Sequence, residues 1–317
     1  MYRLKLVKDE TSVDFLGRAR IAVLGSCAAV LLSLVALIGL GLNFGIDFRG
    51  GVLVEARLTQ PADLGALRGL VGGLDLGDVT IQEFGQPTDV LIRVESQPGG
   101  GDAQKAAENR IVEALTAAYQ GVEIRRTSIV GPKVSGELIQ AGVIAVLTAV
   151  LAVLGYIWLR FEWQFSVGAV AALVHDVAIT LGVFALLQLE FNLSIVAALL
   201  TIVGYSLNDT VVVFDRVREN LRRFKTTELG EVLNISINQT LSRTLMTSAT
   251  TLLALIALYV LGGEVIRGFT FAMIFGVVVG TYSSIFIASP VLLFFGVNRD
   301  LGEDGSGAGV QFGGAEN

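Results

Sequence analysis

A single cysteine and a single histidine stand in this chain of 317 residues. Cys27 alone excludes an internal disulfide framework and a multi-cysteine metal site, and His175 alone argues against a histidine-rich metal centre. Charge is also scarce. Asp, Glu, Lys and Arg supply 16% of the residues, where soluble domains have about 25%. The net charge of −6 gives no support to nucleic-acid binding. No phosphate-binding loop of the Gly-x-x-x-x-Gly-Lys-Ser/Thr kind is present, so ATP is not expected to bind through one. No serine or cysteine has a plausible base beside it, and "YSLND" (205–209) lacks the glycine–aspartate pattern of aspartyl intramembrane proteases. An enzyme, a metal site and an organic cofactor are therefore not expected.

What the chain has in excess is apolar surface: 53% of it is hydrophobic and its mean hydropathy is +0.67. Crossing a bilayer as a helix takes about 20 mostly apolar residues. Six stretches qualify, at 21–42, 138–159, 165–189, 191–214, 244–263 and 269–295. The last is long enough to tilt or kink and has Pro290 near its end. The first is preceded by basic residues and contains the lipobox-like "LGSC" (24–27). Its apolar run nevertheless exceeds the roughly 7–15 residues of a signal peptide. Its cysteine also opens the run instead of closing it, so an uncleaved span is expected.

Lysine and arginine in short flanks set orientation. Arg3, Lys5, Lys8, Arg18 and Arg20 precede span one, Arg160 sits between spans two and three, and Arg216, Arg218, Arg222, Arg223, Lys225 and Arg243 lie between spans four and five. Both termini are thus expected in the cytoplasm, with a cytoplasmic tail over 1–20, a basic connector over 215–243 and a polar, Gly-rich, disordered tail over 298–317. Part of the connector, with Leu229, Val232, Leu233 and Ile237 at helical spacing, is a candidate for a surface helix, although an ordinary loop accounts for it as well.

Residues 43–137 then fall on the far side of the membrane and read as a folded domain. "GVLVEARL" (51–58), "DVTIQEFG" (78–85), "DVLIRVES" (89–96) and "VEIRRTSIV" (122–130) read as strands, the second and third joined by a turn with Gly85 and Pro87. "PADLGALRGLVGGL" (61–74) reads as a helix with proline in its first turn, and 102–120 as an amphipathic helix. The order β-α-β-β-α-β is that of a ferredoxin-like split βαβ unit. The expected fold is a membrane α-helical protein of six spans, with one α+β domain between the first two.

Ionisable residues inside a span are costly and mark function by default. Asp209 lies five residues before Phe214, roughly 8 Å inside the apolar run, too deep for its short side chain to reach water. Three roles are open to it: a protonated structural group, the partner of a cation on another helix, or a titrating member of a proton path. Arg243 opens span five at a matching depth and is the candidate partner, with Thr247 and Thr250 on the same face. That stripe points into the bundle, unless Arg243 is only a positive-inside anchor and the threonines bond back to their own helix. Asn208 is a relay member or only a polar neighbour. His175 and Asp176 sit mid-span and, as helical neighbours about 100° apart, are not expected to pair with each other. They either extend a proton relay or make structural contacts. "GVVVG" (276–280) is a small-xxx-small motif that predicts close helix packing.

Four stretches together carry a resemblance: "FGIDFRGG" (44–51), "RFEWQFSVGA" with "HDVAITLG" (160–182), "VAALLTIVGYSLNDTVVVFDRVREN" (196–220) and "NQTLSRTLMTS" (238–248). Over about residues 15–297 the chain resembles the SecD/SecF family of bacterial protein-export membrane proteins, on the SecF side of it, a family related to the resistance-nodulation-division exporters. The resemblance implies six spans and a periplasmic domain in the bacterial inner membrane, SecD as a partner, association with the SecYEG channel and its accessory subunits, and action on unfolded preproteins. It implies the proton gradient as energy source and roles in proton conduction for Asp209 and Arg243. Two other readings stay open: an assembly subunit in which Asp209 only specifies helix pairing, and half of a small-molecule exporter.

Overall fold

A computed structural model describes residues 11–297. The Gly-rich tail expected over 298–317, and residues 1–10 of the expected N-terminal tail, lie outside the described residues. After a 3-10 turn (Leu16–Arg18) the elements run α1 (Ala19–Gly39), β1 (Asn43–Phe44), α2 (Ile46–Arg49), β2 (Gly51–Arg57), α3 (Leu64–Gly72), β3 (Val79–Phe84), β4 (Gln86–Val94), α4 (Gly101–Ala118) and β5 (Glu123–Val130). The chain continues through α5 (Pro132–Arg160), α6 (Trp163–Leu187), β6 (Glu190–Phe191), α7 (Leu193–Arg223), α8 (Leu229–Leu261), α9 (Glu264–Ser283), a π turn (Ser284–Ala288) and α10 (Ser289–Phe295). Among the described residues, six helical stretches, counting α9 through α10 as one, are long and apolar enough to cross a membrane.

The segment 215–243, expected as a connector, is mostly helix. α7 runs on to Arg223 and α8 starts at Leu229, leaving 224–228 between them. The cause is a second apolar seam beyond the spans: Val217 and Leu221 bury against Val232, Leu233 and Ile237 in one cluster. Asn220 Nδ2 then donates to Ser236 Oγ and Gln239 Oε1, both at 2.9 Å. Asn238 exchanges two hydrogen bonds with the backbone of Val13, which ties the N-terminal segment to the same hairpin.

The last span changes pitch at its π turn, and Pro290 supplies the reason. Proline has no N–H to give to the carbonyl four residues back and its ring crowds that carbonyl, so one wider turn precedes it. Ser289 Oγ fills part of the gap by donating to the Ser284 carbonyl at 3.2 Å. α9 also packs closely on α7, as "GVVVG" predicts. A Cβ on Gly276 would collide with Ile202, and one on Gly280 would lie 3.1 Å from Ser206 Cβ.

The α/β domain has one antiparallel sheet in the order β3-β4-β2-β5. Its core sits between the sheet and two helices, where Val52, Val54 and Ile92 meet Leu67, Ile111 and Leu115. α3 starts later than expected: Pro61 stays outside it, because the Asp63 side chain caps the helix by accepting from the Gly65 and Ala66 amides. Gly51 begins β2 at φ +122°, and a Cβ there would run into the Val94 carbonyl, so the second glycine of "RGG" is a steric requirement.

A clasp joins this domain to the bundle. β1 pairs in parallel with β6, in the turn between α6 and α7. Asp47 Oδ2 accepts from the Leu193 amide at 2.8 Å, and so caps α7 from outside, where Asn192 makes no side-chain cap of its own. Arg93 on β4 approaches Glu190 Oε2 to 2.8 Å, a charge contact that lacks hydrogen-bond alignment. The face of the sheet that carries Leu53, Glu55 and Leu91 looks across a cavity of about 440 Å³ to Asn192, Arg267 and Phe271 at this end of the bundle.

Candidate functional site

α7 presents neighbouring residues to two environments. Asp209 turns into the bundle and is 2% exposed. Asn208, one helical step of about 100° away, is exposed. It lines a cleft of about 530 Å³ with Asp215, Arg216, Glu219, Gln239 and Arg243. Tyr156, Ile157, Leu207, Val211 and Val212 also line it, and through Asn208 the cleft reaches the residue that precedes Asp209 on α7. Asn208 belongs to its wall.

Asp209 Oδ2 is buried and has no hydrogen-bond partner among the described residues, and the Thr244 hydroxyl on α8 is in the same condition. Ser248, Arg243 and Asn208 are the polar groups that act on the Asp209 carboxyl. The expected pairing with Arg243 is not made as a contact. Arg243 is exposed and lines the cleft. Of the two readings open for the stripe beyond it, the structure matches the one in which the threonines bond back to their own helix. Thr247 Oγ1 donates to the Thr244 carbonyl, and Thr250 Oγ1, exposed, donates to those of Met246 and Thr247. In apolar surroundings the nearest acceptors are the helix's own carbonyls. What α8 sends inward instead is Ser248, whose hydroxyl lies 2.7 Å from Thr281 Oγ1 on α9.

His175 and Asp176 do meet, contrary to expectation: His175 Nδ1 lies 2.9 Å from Asp176 Oδ1. A 100° step separates the Cβ directions but not the ends of two polar side chains, and in an interior without water each is the other's nearest partner. Asp176, 0% exposed, also accepts at Oδ2 from Ser206 Oγ on α7 (2.6 Å) and Ser283 Oγ on α9 (2.8 Å). Sequence reasoning passed over both serines. Their signal was position: Ser206 is three residues from Asp209, and Ser283 is three residues beyond the second glycine of "GVVVG".

Charges outside the spans behave conventionally. The Arg57 guanidinium donates two hydrogen bonds of 2.6 Å to Asp89 and holds its carboxyl below the ordinary aspartate value. Burial pushes Glu55 above the ordinary glutamate value, opposed by Arg126. Burial raises Glu162 in the turn between α5 and α6, opposed by Arg218. No group of three or more His, Cys, Asp or Glu arranged to hold a metal occurs among the described residues.

Two family models match: "Protein export membrane protein SecD/SecF, C-terminal" over residues 111–298 and "SecD/SecF GG Motif" over 35–62, the second spanning the end of α1 and the Asp47 clasp. Proteins named protein translocase subunit SecF are similar over nearly the whole chain. The one from Cereibacter sphaeroides is 49% identical over 317 residues, covering 98% of each, and the one from Magnetococcus marinus is 53% identical over 285 residues, covering 89% of this chain and 92% of that protein. Among solved structures, SecDF from Thermus thermophilus, titled a translocon-associated membrane protein, aligns with 92% of the chain at a TM-score of 0.83 and 36% identity. A SecDF titled as in a super-membrane-facing form aligns over the same share and identity at 0.68. The chain spans 39% and 40% of the length of those two SecDF chains. By these matches, the chain is a multi-pass membrane protein that belongs to the SecD/SecF family of protein export membrane proteins.

Proposed function

We propose that this chain is a subunit of a bacterial inner-membrane protein-export machine. It works with a SecD-type partner and a SecYEG-type channel, and it uses proton movement through its bundle to drive a periplasmic domain that handles unfolded preproteins. The observation that carries the proton half is Asp209, a buried carboxyl with one oxygen unpartnered among the described residues, next along α7 to Asn208 on the wall of the cleft that holds Arg243. The names of the relatives support the export half. The end of the bundle with Arg160, Arg216, Arg218, Arg222 and Arg223 faces the cytoplasm by the positive-inside rule. That orientation puts the α/β domain in the periplasm. Its βαββαβ order and sheet order support a ferredoxin-like reading.

The chemistry follows from desolvation. An ionised carboxylate at this depth is costly, and Arg243 offsets part of that cost at a distance. Protonation removes the charge, ends its attraction to Arg243, and gives Asp209 an O–H donor. Moving one charge through 100 mV yields about 2.3 kcal/mol, enough to change a two-state population about 50-fold. α7 carries Asp209, and its first turn is held by Asp47 next to β2 of the domain. A shift of α7 along or about its axis therefore pulls on the domain through the clasp. The two SecDF structures, matched at equal identity with different TM-scores, support a unit with more than one arrangement.

The test is depletion and add-back. Membrane vesicles that lack this chain, with and without its return, are assayed for preprotein export and for dye extrusion, each with the proton gradient intact or collapsed. The expected result is gradient-dependent export that returns only with the chain, and unchanged dye extrusion. Restored dye extrusion with unaffected export would overturn the reading in favour of a small-molecule exporter.

A further inference from the structure

The bundle holds a second buried acid that the Asp209 site does not use. Asp176 lies at the middle of α6, fully buried, and among the described residues its only ion-pairing partner is His175. Its remaining contacts are the hydroxyls of Ser206 and Ser283. His175 is itself 6% exposed, and its other ring nitrogen, Nε2, is buried without a partner among the described residues. The ring stacks on Tyr282 at 6.1 Å between centroids. The Tyr282 hydroxyl lies 2.9 Å from Ser26 Oγ on α1 and donates to the Ala22 carbonyl at 3.0 Å.

A neutral imidazole that donates from Nδ1 to the carboxylate presents Nε2 as a bare lone pair. A buried acceptor without a donor carries a desolvation cost. One added proton at Nε2 turns the cluster from a net charge of −1 to a neutral His⁺–Asp⁻ pair. Among the described residues, the elements packed on α6 bring the following groups toward the pair. α7 brings Ser206, with Asp209 one turn further on, and α9 brings Tyr282 and Ser283. On α1, Arg20 lies at the start of the helix and Cys27 is exposed. The π turn and α10 have no titratable side chain, and on α5 Lys133, Glu137, Tyr156 and Arg160 lie toward the two ends.

We propose that the His175–Asp176 pair is a second proton-binding site of the bundle, distinct from Asp209, and that its occupancy sets how firmly α6 holds α7 and α9. As a lone anion Asp176 grips both serine hydroxyls with charge-assisted bonds; with His175 protonated the same carboxylate is shared with a cation and that grip weakens. Ser283 ends α9 at the π turn, where the helix already changes pitch, and π turns recur at functional sites. The stack of His175 on Tyr282 extends the effect to α1, the helix that leads into the clasp. This inference rests on the proton-driven reading for its purpose, but the site is a matter of binding and is tested apart from export.

The test exploits the lone histidine. The full chain, labelled with isotope only at histidine and purified with its unlabelled membrane partner, gives one imidazole signal from this chain in NMR. The expected result is a change of that signal between its one-proton and two-proton forms within the pH range over which the complex stays intact. Asp209→Asn should leave the transition in place, whereas Asp176→Asn should displace it; the double variant Ser206→Ala with Ser283→Ala should displace it too if Asp176→Asn fails to fold. An imidazole that stays in its one-proton form throughout, or one indifferent to all three substitutions at Asp176, Ser206 and Ser283, would overturn the proposal. A titrating His175 in a chain whose Asp209→Asn variant exports normally would remove the Asp209 reading and leave this one standing.

Discussion

Replacing Asp47 with alanine removes the acceptor that holds the Leu193 amide at 2.8 Å. Nothing local replaces it, since Asn192 uses its side-chain oxygen on the Ser194 hydroxyl and makes no backbone cap. Loss of a capping side chain costs about 0.5–2 kcal/mol, and the carboxylate's favourable field at the helix N-terminus is lost with it. Opening of the first turn of α7 should therefore become about 2- to 30-fold more frequent. Hydrogen exchange read by mass spectrometry on peptides covering 188–200 measures this directly. Asp47→Asn, which keeps an acceptor, should show a smaller increase. Arg93→Ala, which cuts the charge contact to Glu190, should open the same segment. Because both act on one clasp, their combination should fall short of the sum. Wild-type exchange over 190–196 in Asp47→Ala would refute the argument that the domain is tied to α7 through this residue.

Three other outcomes follow from the packing and the charges. Gly276→Leu should destabilise the bundle by about 1–3 kcal/mol through overpacking against Ile202, read as a lower unfolding temperature in detergent. Gly280→Ala, whose Cβ meets Ser206 at 3.1 Å, should cost less. Asp89 titrates below its ordinary value in the folded domain, so the stability it adds is present above that value and is lost as pH falls through the folded one. Exchange protection in β2 and β4 should drop on acidification, and Asp89→Asn should flatten that drop. Glu55 has the opposite sign: its folded value is raised, so its contribution falls as pH rises from the ordinary glutamate value through the raised one. Glu55→Gln should accordingly protect the sheet more than the wild type does at neutral pH.

The six spans were legible because each is a long apolar run, and the length of a run is all that spanning requires. How those helices face one another was not. α6 is apolar almost all round, so nothing in its pattern says that Asp176 meets Ser206 and Ser283, and its pairing with His175 ran against the 100° rule. The extension of α7 and α8 past the membrane was half legible in Leu229, Val232, Leu233 and Ile237, whose helical spacing proved to serve a helix hairpin. Asp209 and Arg243 were found by depth alone. That they make no contact, with Asn208 on the cleft side, depends on helix rotation, which the sequence does not encode locally. Asp47 and the π turn at Pro290 were read as motif and kink, and their roles as cap and pitch change appear only with the neighbouring elements in place.

The central claim is that protonation of Asp209 drives the work of the complex. Its most direct test is Asp209→Asn: the substitution removes the titrating group, keeps shape and polarity, and is assayed for both assembly and export in vesicles with the proton gradient intact or collapsed. The account predicts that the variant co-purifies with its SecD-type partner and the channel as the wild type does, while its export rate no longer responds to the gradient. Export that still rises with the gradient in the assembled variant would contradict it.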